Sequence, residues 1–282
     1  MKVGVSMYSY VGVVRKGLMD IPGFIREAKR IGAQGVELLD FFYKDPDAER
    51  KLAQEALVET GLPCAVFSVA QNFAKASAEE REAQLAKIRF GVDEALRFDA
   101  RVVRVFAGDA ADGMSFEDAR GWIVEGLAKA SAYAHDRGVL LALENHGRLA
   151  GRGDQVRDII RDVRQLSGND ALGANPDTGN FLLVNQRSDE AIREVAPYAY
   201  MVHFKDFRRA PDDYDGFTYA ALDGSRYVGT VIGEGDVPLA ACIRILRDAG
   251  FDGWLNVEYE GEEDPIAGVA KSVETARRLI RS

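Results

Sequence analysis

Short apolar runs alternate with longer stretches of helical periodicity along the whole chain. The pattern predicts strands at 2–6 (KVGVS), 34–39 (QGVELL), 64–69 (CAVFSV), 101–106 (RVVRVF), 139–144 (VLLALE), 171–174 (ALGA), 199–204 (AYMVHF) and 254–259 (WLNVEY). Amphipathic segments with helix start and stop signals lie between them. Ser77-Ala-Glu-Glu reads as a capping box that opens a helix running towards Phe98. Ser115 precedes a pattern ending at Gly138, and Ser188-Asp-Glu opens another that stops before Pro197. Gly32, Gly61 and Gly250 each end a helix just before a strand, where a glycine suits the C-cap.

Eight strand–helix units point to a closed parallel α/β barrel, a (β/α)8 TIM barrel spanning residues 1–282 as a single domain. An open doubly wound sheet would offer a glycine-rich fingerprint after its first strand, and Gly4-Val-Ser-Met-Tyr offers none. No Pro- or Ser-rich linker marks a boundary. Strand starts are 28 to 38 residues apart except for the last interval, which is 55. A helix is expected at about 237–249, so the excess, roughly residues 207–235, is a long loop after strand seven. That loop falls on the C-terminal face, where barrels place their chemistry. Its polar, glycine-rich and aromatic composition suits a lid or a substrate-binding flap.

Composition narrows the picture. With 47% hydrophobic and 9% aromatic residues, the chain has apolar surface enough for a core and is not disordered. Its 36 basic and 45 acidic residues leave a net charge of −9, which repels a polyphosphate backbone and argues against nucleic acid as a partner. The N-terminal MKVGVSMYSY lacks the apolar core of a signal peptide, and no window is long and apolar enough for a membrane span. Cys64 and Cys242 stand far apart in apolar contexts, as small core residues of a reducing compartment rather than a disulfide. A cytoplasmic location without membrane partners is expected.

Four consecutive strands end in a carboxylate or an imidazole: Glu144 in LALENHG, Asp177 in GANPDTGN, His203 in MVHFKD and Glu258 in LNVEYEG. An apolar strand that finishes on an acid needs a partner for it, because a buried unpaired carboxylate is costly. Any one of the four could be salt-bridged to a nearby Arg or Lys. On adjacent barrel strands they converge, and three carboxylates at one point repel each other unless a cation sits among them. Three oxygen donors and one imidazole form a hard set. It suits one divalent ion, Mn²⁺, Mg²⁺ or Co²⁺ in an octahedral shell with two open positions, with Zn²⁺ as an alternative.

From GVSMYS through GAQGVEL, LALENHG, NPDTGN, VHFKDF and GEGDVP to GFDGWLNVEYEG, the chain resembles the sugar phosphate isomerase/epimerase family, the xylose isomerase-like TIM barrels. The resemblance implies that Glu144, Asp177, His203 and Glu258 hold one divalent metal, Mn²⁺ in the first place. It also implies a metal-dependent isomerase or epimerase of a keto-sugar, which removes the proton α to a carbonyl held by the ion and proceeds through an enediolate. Glu144 and Glu258 would then be both ligands and the acid/base pair, with Glu260, of the same strand parity as Glu258, as runner-up. The family name also covers inosose dehydratases and enzymes of 3-keto-sugars. The alternative is therefore a lyase that shares the first half-reaction and expels the β-substituent of a 3-keto-sugar or 3-keto-glycoside. Asp177-Thr-Gly-Asn lacks the histidine that some ketose epimerases place after the strand-six acid, whereas a histidine follows strand five. This shifts the expected substrate towards an oxidised sugar or its glycoside.

Other residues are candidates of lower rank. His146, two residues past Glu144, faces the pocket as a third catalytic group or caps a turn. Lys205, of the same parity as His203, is placed to bind a hydroxyl or a phosphate, and Asp206 follows it. Asn180 and Asn145 could orient carboxylates or substrate hydroxyls, and Arg208, Arg209 and Arg226 of the lid are anion contacts or solvated charge. Tyr8 could stack on a sugar, although packing is the simpler reading for both Tyr8 and Tyr10. Glu234 orders its loop, and His135 is structural at a helix end. A DNA phosphodiesterase on the same barrel would need a histidine-rich three-metal site, which three histidines and a charge of −9 oppose. A silent sugar-binding protein would have no need of all four ligand types. The expected partner is a small sugar, with a homo-oligomer or a partner subunit left open.

Overall fold

The computed structural model describes residues 1–109 and 114–281. In chain order its elements are β1 (Lys2–Ser6), α1 (Val11–Arg15), α2 (Ile21–Arg30), β2 (Gly35–Leu39), α3 (Pro46–Thr60), β3 (Cys64–Ser68), α4 (Ala78–Arg97), β4 (Val102–Val105), α5 (Phe116–His135), β5 (Leu140–Glu144), α6 (Gly153–Ser167), β6 (Leu172–Asn175), α7 (Asn180–Leu183), α8 (Ser188–Val195), β7 (Met201–Phe204), β8 (Asp206–Arg209), β9 (Tyr219–Ala220), β10 (Arg226–Thr230), α9 (Leu239–Asp248), β11 (Trp254–Val257) and α10 (Pro265–Leu279).

The strands β1 to β7 and β11 make one sheet in the order β6-β5-β4-β3-β2-β1-β11-β7, and every paired ladder in it is parallel. Isolated parallel bridges from Ala174 to Ala199 and from Asp177 to His203 join β6 to β7 and bring the ends of the sheet together. Each barrel strand thus lies beside its neighbours in sequence, which is the (β/α)8 topology expected. All eight expected strands are present; the sixth sits one residue later than its apolar run suggested, at Leu172–Asn175.

The stretch at 207–235 is more ordered than a loop. β8, β9 and β10 form a three-stranded antiparallel sheet in the order β8-β10-β9, with Phe207 opposite Gly229 and Tyr219 opposite Tyr227. Asp206 clasps the end of this insertion: its carboxylate accepts the backbone N–H groups of Gly233, Gly235 and Val237 at 2.8, 3.0 and 3.2 Å.

Capping accounts for the helix starts. Ser77 and Ser115 are N-caps, the latter in a reciprocal capping box with Asp118. Ser188 is not a cap. It is the first residue of α8, and its hydroxyl donates to the Thr178 carbonyl. Chain reversals follow at Gly32, Gly61, Gly138 and Gly250, whose φ of 66–83° is the left-handed conformation that a side chain disfavours.

Alternation along the strands divides the core into two. Val3, Val5, Val36, Leu38, Phe67, Val103, Leu141, Leu143, Val202, Leu255 and Val257 are fully buried in the large core cluster. A second, small cluster of Val66, Val102, Ala142 and Met201, flanked by Trp254, fills the barrel floor. Above that floor the strand positions are polar: Glu37, Ser68, Arg104, Glu144, Asn175, His203 and Asn256 are all buried. An apolar floor carrying a polar upper layer is what positions the site.

Candidate metal centre

Glu144 closes β5, Asp177 follows β6, His203 lies in β7 and Glu258 follows β11. One ligand atom from each lies within 4.8 Å of the others, and all four residues are buried. The strand register produces the convergence: Glu144 pairs with Asn175, Asp177 bridges to His203, and His203 pairs with Asn256.

Neutral side chains fix the backbone of this rim. Asn145 accepts the Asp177 N–H at 2.7 Å and donates to the Asp177 carbonyl at 3.1 Å, tying β5 to the turn after β6. Asn175 donates to Glu144 Oε2 at 3.3 Å and accepts the His203 N–H at 2.8 Å. Asp177 Oδ1 accepts the N–H groups of Gly179 and Asn180, both at 2.9 Å, so its Oδ2 faces the cluster.

Lys205 is not a peripheral contact. Its ammonium is buried, with Glu260 Oε1 at 2.6 Å, Glu258 Oε2 at 2.7 Å and Asp177 Oδ2 at 3.0 Å. Asn180 bridges the cluster, donating to Glu144 Oε1 at 3.4 Å and accepting from Lys205 at 3.4 Å. Glu260 also holds the hydroxyl of Tyr219 on β9, which ties the lid sheet to the centre. Tyr8 is half-buried beside the same carboxylates, and the repulsion of Glu260 and Glu258 adds to burial in raising its phenol above the usual range. Its ring lies 6.5 Å from Phe41, whereas Tyr10 is fully buried against Phe24.

His146 stands exposed at the mouth with its ring 4.3 Å from Phe106. Both line a cavity of about 350 Å³ together with Gln71, Asn72, Lys75 and Lys87. Arg208 is exposed on β8 opposite Val228, where its charge acts on Tyr214, and the structure does not bring it to the cluster. Arg209 is likewise exposed, Arg226 donates to carbonyls of Pro211, Asp212 and Tyr214 within the lid, and Glu234 and His135 are exposed.

Two charged residues of the centre were not foreseen. Glu37 on β2 is fully buried, with both oxygens 3.0 Å from His203 Nε2. Arg104 on β4 is buried under Glu144, with Nε 3.3 Å from Glu144 Oε2, and its guanidinium lies 4.0 Å from the centre of the Phe106 ring. Both interrupt apolar strands at inward positions, in VELL and VVRV, and that interruption was the available signal.

Electrostatics favour a cation. The carboxylates of Glu37, Glu144, Asp177, Glu258 and Glu260 meet two permanent cations, Arg104 and Lys205. Burial works to raise Glu144, but the His203 imidazole and the Arg104 guanidinium outweigh it and hold its carboxyl at about 2. Burial pushes Asp177 up; Lys205 pulls it back, yet repulsion from Glu144 and Glu258 leaves it at about 7. Burial depresses His203, and Glu258, Glu37 and Glu144 together lift it well above its ordinary value. Two of the four converging groups present an atom without a hydrogen bond: Asp177 Oδ2, which has only the Lys205 charge, and His203 Nδ1. Nδ1 lies 3.2 Å from Glu144 and 3.5 Å from Glu258 but is not aligned with either. Orphaned donor atoms in a carboxylate-rich cluster fit a divalent ion, so the cluster can hold one.

A polar centre on the C-terminal rim of a closed parallel barrel lies where (β/α)8 barrels place their chemistry. The chain belongs to the xylose isomerase-like TIM barrel family, whose sequence pattern matches residues 25–279. An inosose dehydratase of Clostridium perfringens is 26% identical over 162 residues, covering 56% of this chain and 53% of the relative. The match thus spans about half the length of the curated relatives. Among solved structures, the IOLI protein with a bound zinc atom superposes with a TM-score of 0.78 at 15% identity, covering 99% of this chain and 98% of that one. A 3-keto-D-glucoside 4-epimerase from E. coli superposes at 0.73 with 16% identity, covering 99% of each chain. At such identities the structural likeness speaks for the fold. Among the described residues no helix is long and apolar enough to cross a membrane.

Proposed function

We propose that the protein is a divalent-metal-dependent isomerase or epimerase of a keto-sugar, with Glu144, Asp177, His203 and Glu258 as the ligands. The observation that carries this reading is the buried cluster itself, with two donor atoms left without hydrogen bonds. Its three carboxylates and one imidazole favour Mn²⁺, with Mg²⁺, Co²⁺ and Zn²⁺ as alternatives. When bound, the ion supplies Lewis-acid polarisation of a carbonyl and its neighbouring hydroxyl, which acidifies the carbon between them.

The chain supplies the proton transfers. Glu144, held ionised by His203 and Arg104, removes the α-proton, and Glu258 returns a proton on the opposite face of the enediolate. Lys205 neutralises Glu258 and Glu260, and in this reading Lys205, Asn180 and Tyr8 would orient substrate hydroxyls.

A second reading is a dehydratase, or a lyase of a 3-keto-sugar or its glycoside, and the sequence match to inosose dehydratase favours it. Proton abstraction is shared, but the enediolate then expels its β-substituent, and in this reading His146 would protonate the departing oxygen.

The test is solvent exchange of the α-proton in D₂O across ketoses, inososes and 3-keto-sugars with added Mn²⁺. Exchange with inversion and an intact carbon substituent supports the epimerase; release of water or an alcohol matching turnover supports the lyase. Glu144→Gln and Glu258→Gln each lower kcat by about 10²–10⁴ in either case. Unchanged activity in both variants, or no Mn²⁺ binding by calorimetry, overturns the metal-assisted mechanism.

A further inference from the structure

The Glu37 carboxylate sits in the polar layer beneath the ligand cluster and touches none of the carboxylates there. Its contacts come from three other strands. Ser68 of β3 donates to Oε1 at 2.6 Å, Asn256 of β11 donates to Oε2 at 2.9 Å, and His203 Nε2 of β7 lies 3.0 Å from each oxygen. Gly4 on β1, in register with Asn256, makes room for this arrangement, since a Cβ there would overlap the Asn256 amide oxygen. A carboxylate accepts only, so the ring nitrogen facing it must carry the hydrogen. The other nitrogen, Nδ1, faces Glu144 and Glu258 and has no hydrogen bond.

We infer that Glu37 is a positioning residue for the metal centre: it fixes His203 in the Nε2–H tautomer, clamped through Ser68 and Asn256, and so presents the Nδ1 lone pair to a divalent ion. A ligating histidine with its second nitrogen held by a carboxylate is oriented and made more basic towards the metal. The inward position of a barrel strand is ordinarily filled by Val, Ile or Leu, and a charge at that depth is retained here with every oxygen paired. The inference rests on the assignment of His203 as a ligand, made above.

The experiment needs only the intact protein and two ions, Mn²⁺ for affinity and Zn²⁺ for spectra. Calorimetry measures Mn²⁺ affinity for wild type, Glu37→Gln and Glu37→Ala, and long-range ¹H–¹⁵N spectra of the Zn²⁺-loaded forms report which ring nitrogen carries hydrogen. We expect the wild type to show Nε2–H. Glu37→Ala should bind Mn²⁺ about 10- to 100-fold more weakly and lose the single tautomer. Glu37→Gln, whose amide oxygen still accepts from Nε2–H, should keep the tautomer and lose less affinity. If Glu37→Ala does not fold, the wild-type spectrum and the Gln variant still decide. Unaltered affinity in a folded Glu37→Ala overturns the role of Glu37 and leaves the ligand assignment standing, whereas hydrogen on Nδ1 in the loaded wild type overturns both, because Nδ1 is the nitrogen that faces the cluster. A wild type that binds no Mn²⁺ overturns that assignment as well.

Discussion

At the scale of single residues, the centre depends on Lys205 as much as on the four converging residues. Its ammonium is shared by Asp177, Glu258 and Glu260, and those carboxylates raise it well above its ordinary value against the opposing effect of burial. Removing one partner of a buried ion pair leaves uncompensated charge, at about 3–5 kcal/mol. Lys205→Met should therefore destabilise the metal-free protein by about that amount. Added Mn²⁺ should raise its Tm by more than it raises that of wild type, because the ion then stands in for the missing charge. Thermal melts with EDTA and with Mn²⁺ measure both, and an equal metal effect in the two proteins counts against the shared-charge account. The convergence of Glu144, Asp177, His203 and Glu258 was legible in the sequence because each lies at or just past the end of an apolar run. Glu37 and Arg104 were not, because their reasons for burial lie far along the chain: Glu37 meets its imidazole 166 residues away. Lys205 was legible in direction by strand parity, but its three carboxylate partners follow only from the convergence of β6, β7 and β11.

At the scale of elements, local signals placed the strand–helix units well and the lid poorly. Ser77 and Ser115 announce α4 and α5 because a cap acts within four residues, and the glycines at helix ends act within one. The lid strands are two to five residues long and exist through pairing with one another, which no window of sequence displays. Ser188 does open α8 as expected, although its hydroxyl bonds a carbonyl ten residues back instead of the helix that it begins. The Tyr219–Glu260 contact and the Asp206 clasp hold the lid, together with the Tyr214–Glu262 contact, the Gly229–Gly261 bridge and the Leu222 N–H donated to the Leu183 carbonyl. Asp206→Ala leaves three backbone N–H groups without their acceptor, and should cost about 3 kcal/mol, since bonds to a charged acceptor contribute roughly 1.5–3 kcal/mol each and water recovers part. The loosening should be local: faster amide exchange over 207–237 with the β1–β5 amides unchanged. Uniformly faster exchange would show that the clasp holds the barrel rather than the lid.

At the scale of the whole molecule, part of the net charge of −9 is confined inside the barrel, where an ion and the proton compete for it. The barrel itself was legible because all its parallel neighbours except the closing pair β1 and β11 are also neighbours in sequence, so eight local units go most of the way to defining it. Its charge balance is a global property, and Asp177 gives it a pH dependence. The Asp177 carboxyl, ordinarily near 3.8, is raised to about 7 in the folded chain. The stabilising effect of its bound proton is therefore full below 3.8 and is lost as pH rises through about 7. A divalent ion that binds only the folded protein stabilises by about 2.7 kcal/mol at a concentration a hundred times its Kd. It must displace the Asp177 proton to do so, hence binds more weakly in acid. The rise in Tm on adding Mn²⁺ should be small near pH 5, grow through neutrality and be largest near pH 8, with EDTA reversing it throughout. In Asp177→Asn the repelling carboxylate is gone, so its metal-free form should melt above metal-free wild type near pH 8 and gain least from Mn²⁺. Melts of both proteins at three pH values, with the ion and with chelator, separate the terms. An equal Mn²⁺ effect in acid and in alkali would show that the ion displaces no proton from Asp177.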